Sequence, residues 1–165
     1  MKQVTIATDI SCDAVDEITT WACYIKHSKG IIKEVGEFKK FYKNTALAET
    51  YALINALTIA ESNIPDWSKS DVTIYNEVEY ALSPIRTKAG NIKLRDKDRS
   101  DAIQEIALPI LEQAMRWEKK DVKAHYKDWE ESGEEKYIIN RWCDKESRRA
   151  LREIRNNRKK VLAIA

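Results

Sequence analysis

Apolar positions in the first forty residues fall at every second place. VTIATDIS (4–11) and TWACYIK (20–26) both alternate in this way, separated by a polar connection through Asp13, Asp16 and Glu17, and Lys29-Gly30 then turns the chain into IIKEVGEF (31–38). A period of two between turn signals predicts a meander of three strands. From Thr45 to about Ser62 the period becomes helical, with Leu47, Tyr51, Ile54 and Thr58 on one stripe and Leu53, Ala56 and Ala60 on another. Thr45 is the candidate N-cap, and Asn63 with Pro65 ends the helix.

DVTIY (71–75) is a short apolar run of strand type, followed by a helical turn that Pro84 limits. The charged stretch from Arg86 to Ser100, with its central Ala-Gly-Asn, predicts an exposed loop. Asp101 and Gln104 then have the spacing of a capping box, ahead of a stripe of Ile103, Ile106, Ala107, Ile110, Leu111 and Ala114. DVKAHY (121–126) is read as the last strand, and KDWEESGEE as a charged loop leading to a final helix capped by Asn140. The tail VLAIA is read as a loose end or a small docking strand. The order βββ-α-β-α-β-α predicts an α/β fold with a mixed five-stranded sheet, antiparallel in the meander and parallel where the crossovers enter, flanked by helices. Residues 1–165 are expected to form one domain, in which 145–165 make a basic C-terminal helix and short tail.

Size and composition narrow the class. A chain of 165 residues suits one domain. Cys12, Cys23 and Cys143 are odd in number and form no CxxC pair, so no disulfide framework is expected and a reducing compartment, cytoplasmic or nuclear, is the natural setting. The N-terminus lacks the apolar stretch of a signal peptide, and no run is long enough for a membrane span. The net charge of +2 is small, but from Lys145 to Lys160 there are eight basic residues against Glu146 and Glu153. A basic terminal helix beside an acidic body suits a polyanion; a solvated helix face is the plainer alternative. A second basic stretch, with Arg86, Lys88, Lys93, Arg95, Lys97 and Arg99, leaves the same two readings open.

Four acids stand where packing alone would not put them. Asp9 interrupts an otherwise uncharged strand, and Glu49 falls on the stripe of Leu53, Ala56 and Ala60. Burying a carboxylate is costly unless it is neutralised or binds a cation. Glu77 follows the DVTIY strand, at the strand end where open α/β sheets collect ligands, and Asp144 is expected in the first turn of the last helix, in line with Leu151. Each has a plainer explanation: a turn contact for Asp9, a favourable helix dipole for Glu49 and Asp144, a cap or solvent for Glu77. Together they have the composition of a two-metal site, which needs about four carboxylates from separate elements.

With these residues the chain resembles the ribonuclease H family. VTIATDIS resembles the family's first strand and its catalytic aspartate, here Asp9. NTALAETYALINAL resembles the helix with the motif Ala-Glu-x-x-Ala-Leu, here Ala48, Glu49, Ala52 and Leu53. VTIYNEVEY stands where the family has Thr-Asp-Ser-x-Tyr after a strand, so that Glu77 takes the aspartate's place and Tyr80 the tyrosine's, while Asn76 and Val78 replace Thr and Ser. VKAHY resembles Val-Lys-Gly-His, giving His125, and NRWCDKES the Asn-x-x-x-Asp segment, giving Asn140 and Asp144.

The resemblance implies a metal-dependent endonuclease that hydrolyses the RNA strand of RNA/DNA hybrids. Asp9, Glu49, Glu77 and Asp144 would hold two Mg²⁺ ions, with Mn²⁺ as a substitute, and His125 would shuttle a proton or assist product release. Substrate contacts are expected from Ser11, Cys12, Asn44 and Thr45, from Lys43 and Arg148 on phosphates, and from Asn140. His27 has no metal-spaced partner and is read as a turn residue. The expected partner is the hybrid rather than a membrane, acting on a monomer, with a dimer left open. The alternatives are a related DNA-directed nuclease, a non-catalytic nucleic-acid-binding module whose metal site Glu77 has spoiled, and a protein-interaction domain without a nucleic-acid role.

Overall fold

Strand β1 (Lys2–Asp13) lies at the centre of a five-stranded sheet of order β3-β2-β1-β4-β5. It is antiparallel to β2 (Ile18–His27) and parallel to β4 (Ser70–Asn76); β3 (Gly30–Glu37) and β5 (Arg116–Asp121) occupy the two ends. The computed structural model describes residues 2–76, 82, 96–122 and 133–164, apart from the side chains of 121 and 161–164. The mixed sheet expected from the sequence is present, and no helix among the described residues is long and apolar enough to cross a membrane.

The alternation in β1 separates two layers. Val4 and Ile6, with Cys23, Ile25, Val72 and Ile74, meet α1 (Thr45–Asn63) and form the larger core with Leu53, Ala56, Leu57 and Ala60. Ala7 and Ala22 face the other way, against Ile139 and Cys143 of the long helix that ends the chain. At its centre this second layer is built from the small side chains of Ala7, Ala22 and Cys143, with Ile139 beside them and Tyr24, Tyr75 and Trp142 partly buried around it. At the outer edge, Gly36 of β3 passes beneath Trp21, where an added Cβ would come within 2.8 Å of the indole.

Several boundaries differ from the sequence reading. The N-cap of α1 is Asn44, whose Oδ1 accepts from the backbone N–H groups of Ala46 at 3.0 Å and Leu47 at 3.3 Å; Thr45 is the first helical residue. The next helix starts at Lys97, not Asp101: α2 (Lys97–Ala102) widens into a π-helical stretch (Ile103–Ala107) before α3 (Leu108–Glu112). Asp101 accepts from Lys97 at 2.7 Å and Gln104 donates to Ser100 at 3.3 Å, so no capping box forms. Pro109 accounts for the widening, because its ring has no N–H and would collide with the carbonyl four residues earlier in an undistorted helix.

The last strand among the described residues is Arg116–Asp121, ahead of the expected 121–126. Its sequence, RWEKKD, has Trp117 as its one apolar residue, packed on the core, and an end strand tolerates charge on its outer positions. Val122 adds one more ladder bond by donating to the Asn76 carbonyl at 3.2 Å, and residues 123–126 lie outside the described ones. The final helix, α4 (Glu135–Ile164), begins before Asn140 and runs through the expected tail. Asn140 is therefore no cap; it is buried in the second turn and donates to the Lys136 carbonyl at 2.6 Å.

Candidate active site

Pairing between β1 and β4 ends at Ala7 and Tyr75, whereas pairing between β1 and β2 continues through Asp9 and Ala22 to Asp13 and Ile18. Strand β1 thus leaves its parallel neighbour just before Asp9, and a crevice opens beside that residue. Such a divergence at the carboxyl ends of parallel strands is where open α/β sheets bind ligands. Asn76, fully buried at the end of β4, donates to the Thr8 hydroxyl at 3.0 Å across this divergence.

Three of the four sequence-selected acids meet there. Asp9, Glu49 and Asp144 line one cleft of about 410 Å³, together with Ile10, Ser11, Cys12, Thr45, Arg148 and Leu151. Asp9 is 5% exposed and Glu49 7%. Because α1 starts at Thr45, Glu49 stands in its second turn, facing the sheet. Asp144 is the tenth residue of α4 rather than part of its first turn, so a helix-dipole role accounts for neither acid. Asp9 Oδ1 accepts from the Ile10 backbone at 2.8 Å, and Arg148 lies 3.1 Å from Asp144.

The helix that carries Asp144 is fixed to β1 and β2 by polar contacts on both sides of it. The Cys143 thiol points at the Ala7 carbonyl at 3.5 Å, the Ser11 and Ser147 hydroxyls are 3.0 Å apart, and the Thr20 hydroxyl donates to the Ser147 carbonyl at 2.6 Å. Farther along, Arg155 pairs with Asp13 and Asp16, and Arg158 bonds the Asp16 carbonyl and Glu37, which holds the β1–β2 turn against the helix. Asp13 shapes that turn by accepting from Val15 and Asp16. Ser147, Thr20 and Thr8 were not legible as site residues, since each acts through a partner far away in the chain and their only signal is a small polar residue at a buried position; Asn76 stood out only as a replacement within the motif beside Glu77.

The electrostatics centre on the carboxylates. Burial first, and then the negative charge of Asp9, raises the Cys143 thiol well above the ordinary range, and Cys23, Glu49 and Asp144 add to the effect. Burial also raises Cys12, opposed by its contact with Thr19 and reinforced by Glu49.

Of the remaining sequence-selected residues, Ser11, Cys12, Thr45 and Arg148 line the cleft. Lys43 and Asn44 are exposed just before α1, and Asn140 is enclosed in α4, away from the cleft. Glu77 and His125 lie outside the described residues. Carboxylate oxygens are the donors that hard divalent cations take, so the chemistry of the set fits such an ion. Among the described residues no three His, Cys, Asp or Glu side chains form a group that could hold a metal.

No family model matches the sequence, and no curated protein does. Solved structures do match. RNase H1 from the halophilic archaeon Halobacterium salinarum NRC-1 is 17% identical with a TM-score of 0.62, the match covering 92% of this chain and 98% of that one. The N-terminal RNase H domain of Rv2228c from Mycobacterium tuberculosis, solved as a fusion with maltose-binding protein, is 13% identical with a TM-score of 0.60, covering 93% and 99%. LC11-RNase H1 in complex with an RNA/DNA hybrid is 14% identical with a TM-score of 0.58, covering 90% and 99%. Near-complete coverage of both chains, together with the sheet order and the position of the cleft, gives this protein a ribonuclease H-like fold.

Proposed function

We propose that the protein is a metal-dependent endonuclease that hydrolyses the RNA strand of RNA/DNA hybrids. The observation that carries this reading is the arrival of Asp9, Glu49 and Asp144, from a strand and two helices, at one cleft where β1 and β4 part. The fold likeness to RNase H1 structures, one of them a complex with a hybrid, supports the substrate class.

Asp9, Glu49, Glu77 and Asp144 would hold two divalent ions, Mg²⁺ or Mn²⁺, which when bound supply Lewis acidity toward the scissile phosphate. Burial of Asp9 and Glu49 keeps their carboxylates oriented and partly dehydrated, which strengthens their hold on a cation. Arg148, at the mouth of the cleft beside Asp144, offers a guanidinium to a phosphate oxygen. Asn44 uses its side-chain oxygen as the helix cap, which leaves the amide nitrogen to meet a ribose hydroxyl or phosphate. His125 is assigned the proton shuttle or product release.

The test is cleavage of an end-labelled RNA/DNA hybrid beside matched duplex RNA and duplex DNA, in Mg²⁺ and in Mn²⁺, with Asp9→Asn as control. The expected result is selective cutting of the RNA strand that disappears in Asp9→Asn. A folded protein that cuts no duplex in either metal overturns the enzyme reading and leaves a binding module; cutting of duplex DNA in preference to the hybrid reassigns the substrate.

A further inference from the structure

Arg141, Lys145, Arg148, Arg152, Arg155 and Lys159 recur every three or four residues along α4. That spacing sets all six on one side of a helix. Over eighteen residues the stripe is about 27 Å long. It passes the cleft at Arg148 and continues beyond Leu151, the last buried residue of the helix among the described side chains. Of the acids in the same segment, Glu146 and Glu153 stand off the stripe and Asp144 adjoins it, paired with Arg148; from Lys145 onward the stripe itself carries only cations.

The six residues divide into two kinds. Arg148 is paired with Asp144, and Arg155 with Asp13 and Asp16. Arg141, Lys145, Arg152 and Lys159 make no ion pair among the described residues, and the last three are exposed. Like charges three and four residues apart repel and lower helix stability, and nothing in the packing of α4 calls for them. A face that serves solubility alone has mixed signs. Lined-up cations that run past a cleft are the electrostatic footprint of a polyanion.

We propose that this stripe is a track for the phosphate backbone of the duplex that occupies the cleft, with Lys145, Arg152 and Lys159 as the contacting cations. Arg155 has a different role: it fixes the track to the β1–β2 turn beside Ser11 and Cys12. The track rests on the nuclease reading for the identity of the duplex. Its length spans about eight phosphates of one strand at about 3.4 Å each along the duplex axis.

The experiment measures binding of a fluorescein-labelled RNA/DNA hybrid of about twenty base pairs by anisotropy, without divalent metal, from about 50 to 200 mM NaCl. The variants are Lys145→Ala/Arg152→Ala/Lys159→Ala and the charge-conserving Lys145→Arg/Arg152→Lys/Lys159→Arg, both checked for native circular dichroism. The alanine variant is expected to reduce the slope of log affinity against log salt by about 2 to 3, near 0.9 for each lost phosphate contact. The charge-conserving variant is expected to keep the slope of the wild type.

An unchanged slope in a folded alanine variant overturns the track, and so does a wild type that binds no duplex in a salt-dependent manner. If the wild type cuts the hybrid while the alanine variant keeps its slope, the track falls and the nuclease stands. If the slope falls but no metal supports cutting, the nuclease falls and the track stands.

Discussion

The Asn76 side-chain amide donates to the Thr8 hydroxyl at 3.0 Å, with both residues buried, at the point where β4 parts from β1 and one residue before Asp9. This bond ties the two strand ends on the side of the sheet that faces α1, and so limits how far the crevice can open. Thr8→Val keeps the shape and removes the acceptor. It is expected to lower stability by about 1 to 3 kcal/mol, the usual cost of leaving a buried polar group short of a partner, as measured by urea unfolding. In a double-mutant cycle with Asn76→Ala, the two losses should be less than additive; strict additivity would show that the bond does not couple the strands.

Ser147 is fully buried and joins α4 to two strands, with its hydroxyl near Ser11 and its carbonyl accepting from Thr20. Ser147→Ala removes the first contact and keeps the second, so a loss of about 1 kcal/mol is expected. Ser147→Val also overfills the layer between α4 and the sheet, at a cost of up to about 3 kcal/mol. Asp144 lies three residues away on the same helix, so the valine variant should lose cleavage rate more than hybrid affinity. Equal losses in both would mean that Ser147 supports the fold without positioning Asp144.

The parts of this site that the sequence revealed are those whose signal is local. Asp9 and Glu49 stand out because a carboxylate interrupts an apolar pattern of period two or of helical period, and both prove buried. Asp144 stands out through its line with Leu151, but its place in the helix does not, since the charged run before α4 has no apolar rhythm from which to place the helix start; for the same reason Asn140 reads as a cap. Strand β5 was misplaced for a related reason: RWEKKD takes its conformation from pairing with β4, and its single tryptophan is too little pattern to read. The bonds from Asn76 to Thr8, from Thr20 to Ser147 and from Arg155 to Asp13 join residues 68 to 142 positions apart, a distance over which no local propensity operates.

Aspartates account for the expected acid sensitivity. Asp71 is held below the ordinary carboxylate range first by the Arg116 guanidinium at 2.6 Å, and Asp13 first by the Asp16 backbone N–H, with Arg155 adding to it. A carboxyl whose folded value is depressed favours the folded state above its unfolded value, near pH 4, and that contribution disappears as pH falls through the folded value. Thermal unfolding should therefore move to lower temperature below about pH 4 and stay flat from there toward neutrality. Asp71→Asn and Asp13→Asn should each shallow the acid limb. An acid limb identical to that of the wild type in both variants would remove these two groups as its source.

The three thiols differ in accessibility, and the difference predicts their chemistry. Burial pushes Cys23 up to about 12, Cys143 is raised well above the ordinary range, and Cys12 is raised less while lining the cleft with part of its surface exposed. Alkylation proceeds through the thiolate, so at neutral pH all three should react slowly in the folded protein, with Cys12 first. Mass spectrometry after timed iodoacetamide exposure should show a single adduct on Cys12, and three only after denaturation. Because the Cys12 side chain shares the cleft with Asp9 and Glu49, the singly modified protein should lose hybrid cleavage, whereas Cys12→Ser should keep activity and resist the reagent. Modification of Cys23 or Cys143 before Cys12 would mean that α4 lifts from the sheet more readily than its contacts with Ala7, Ser11 and Thr20 imply.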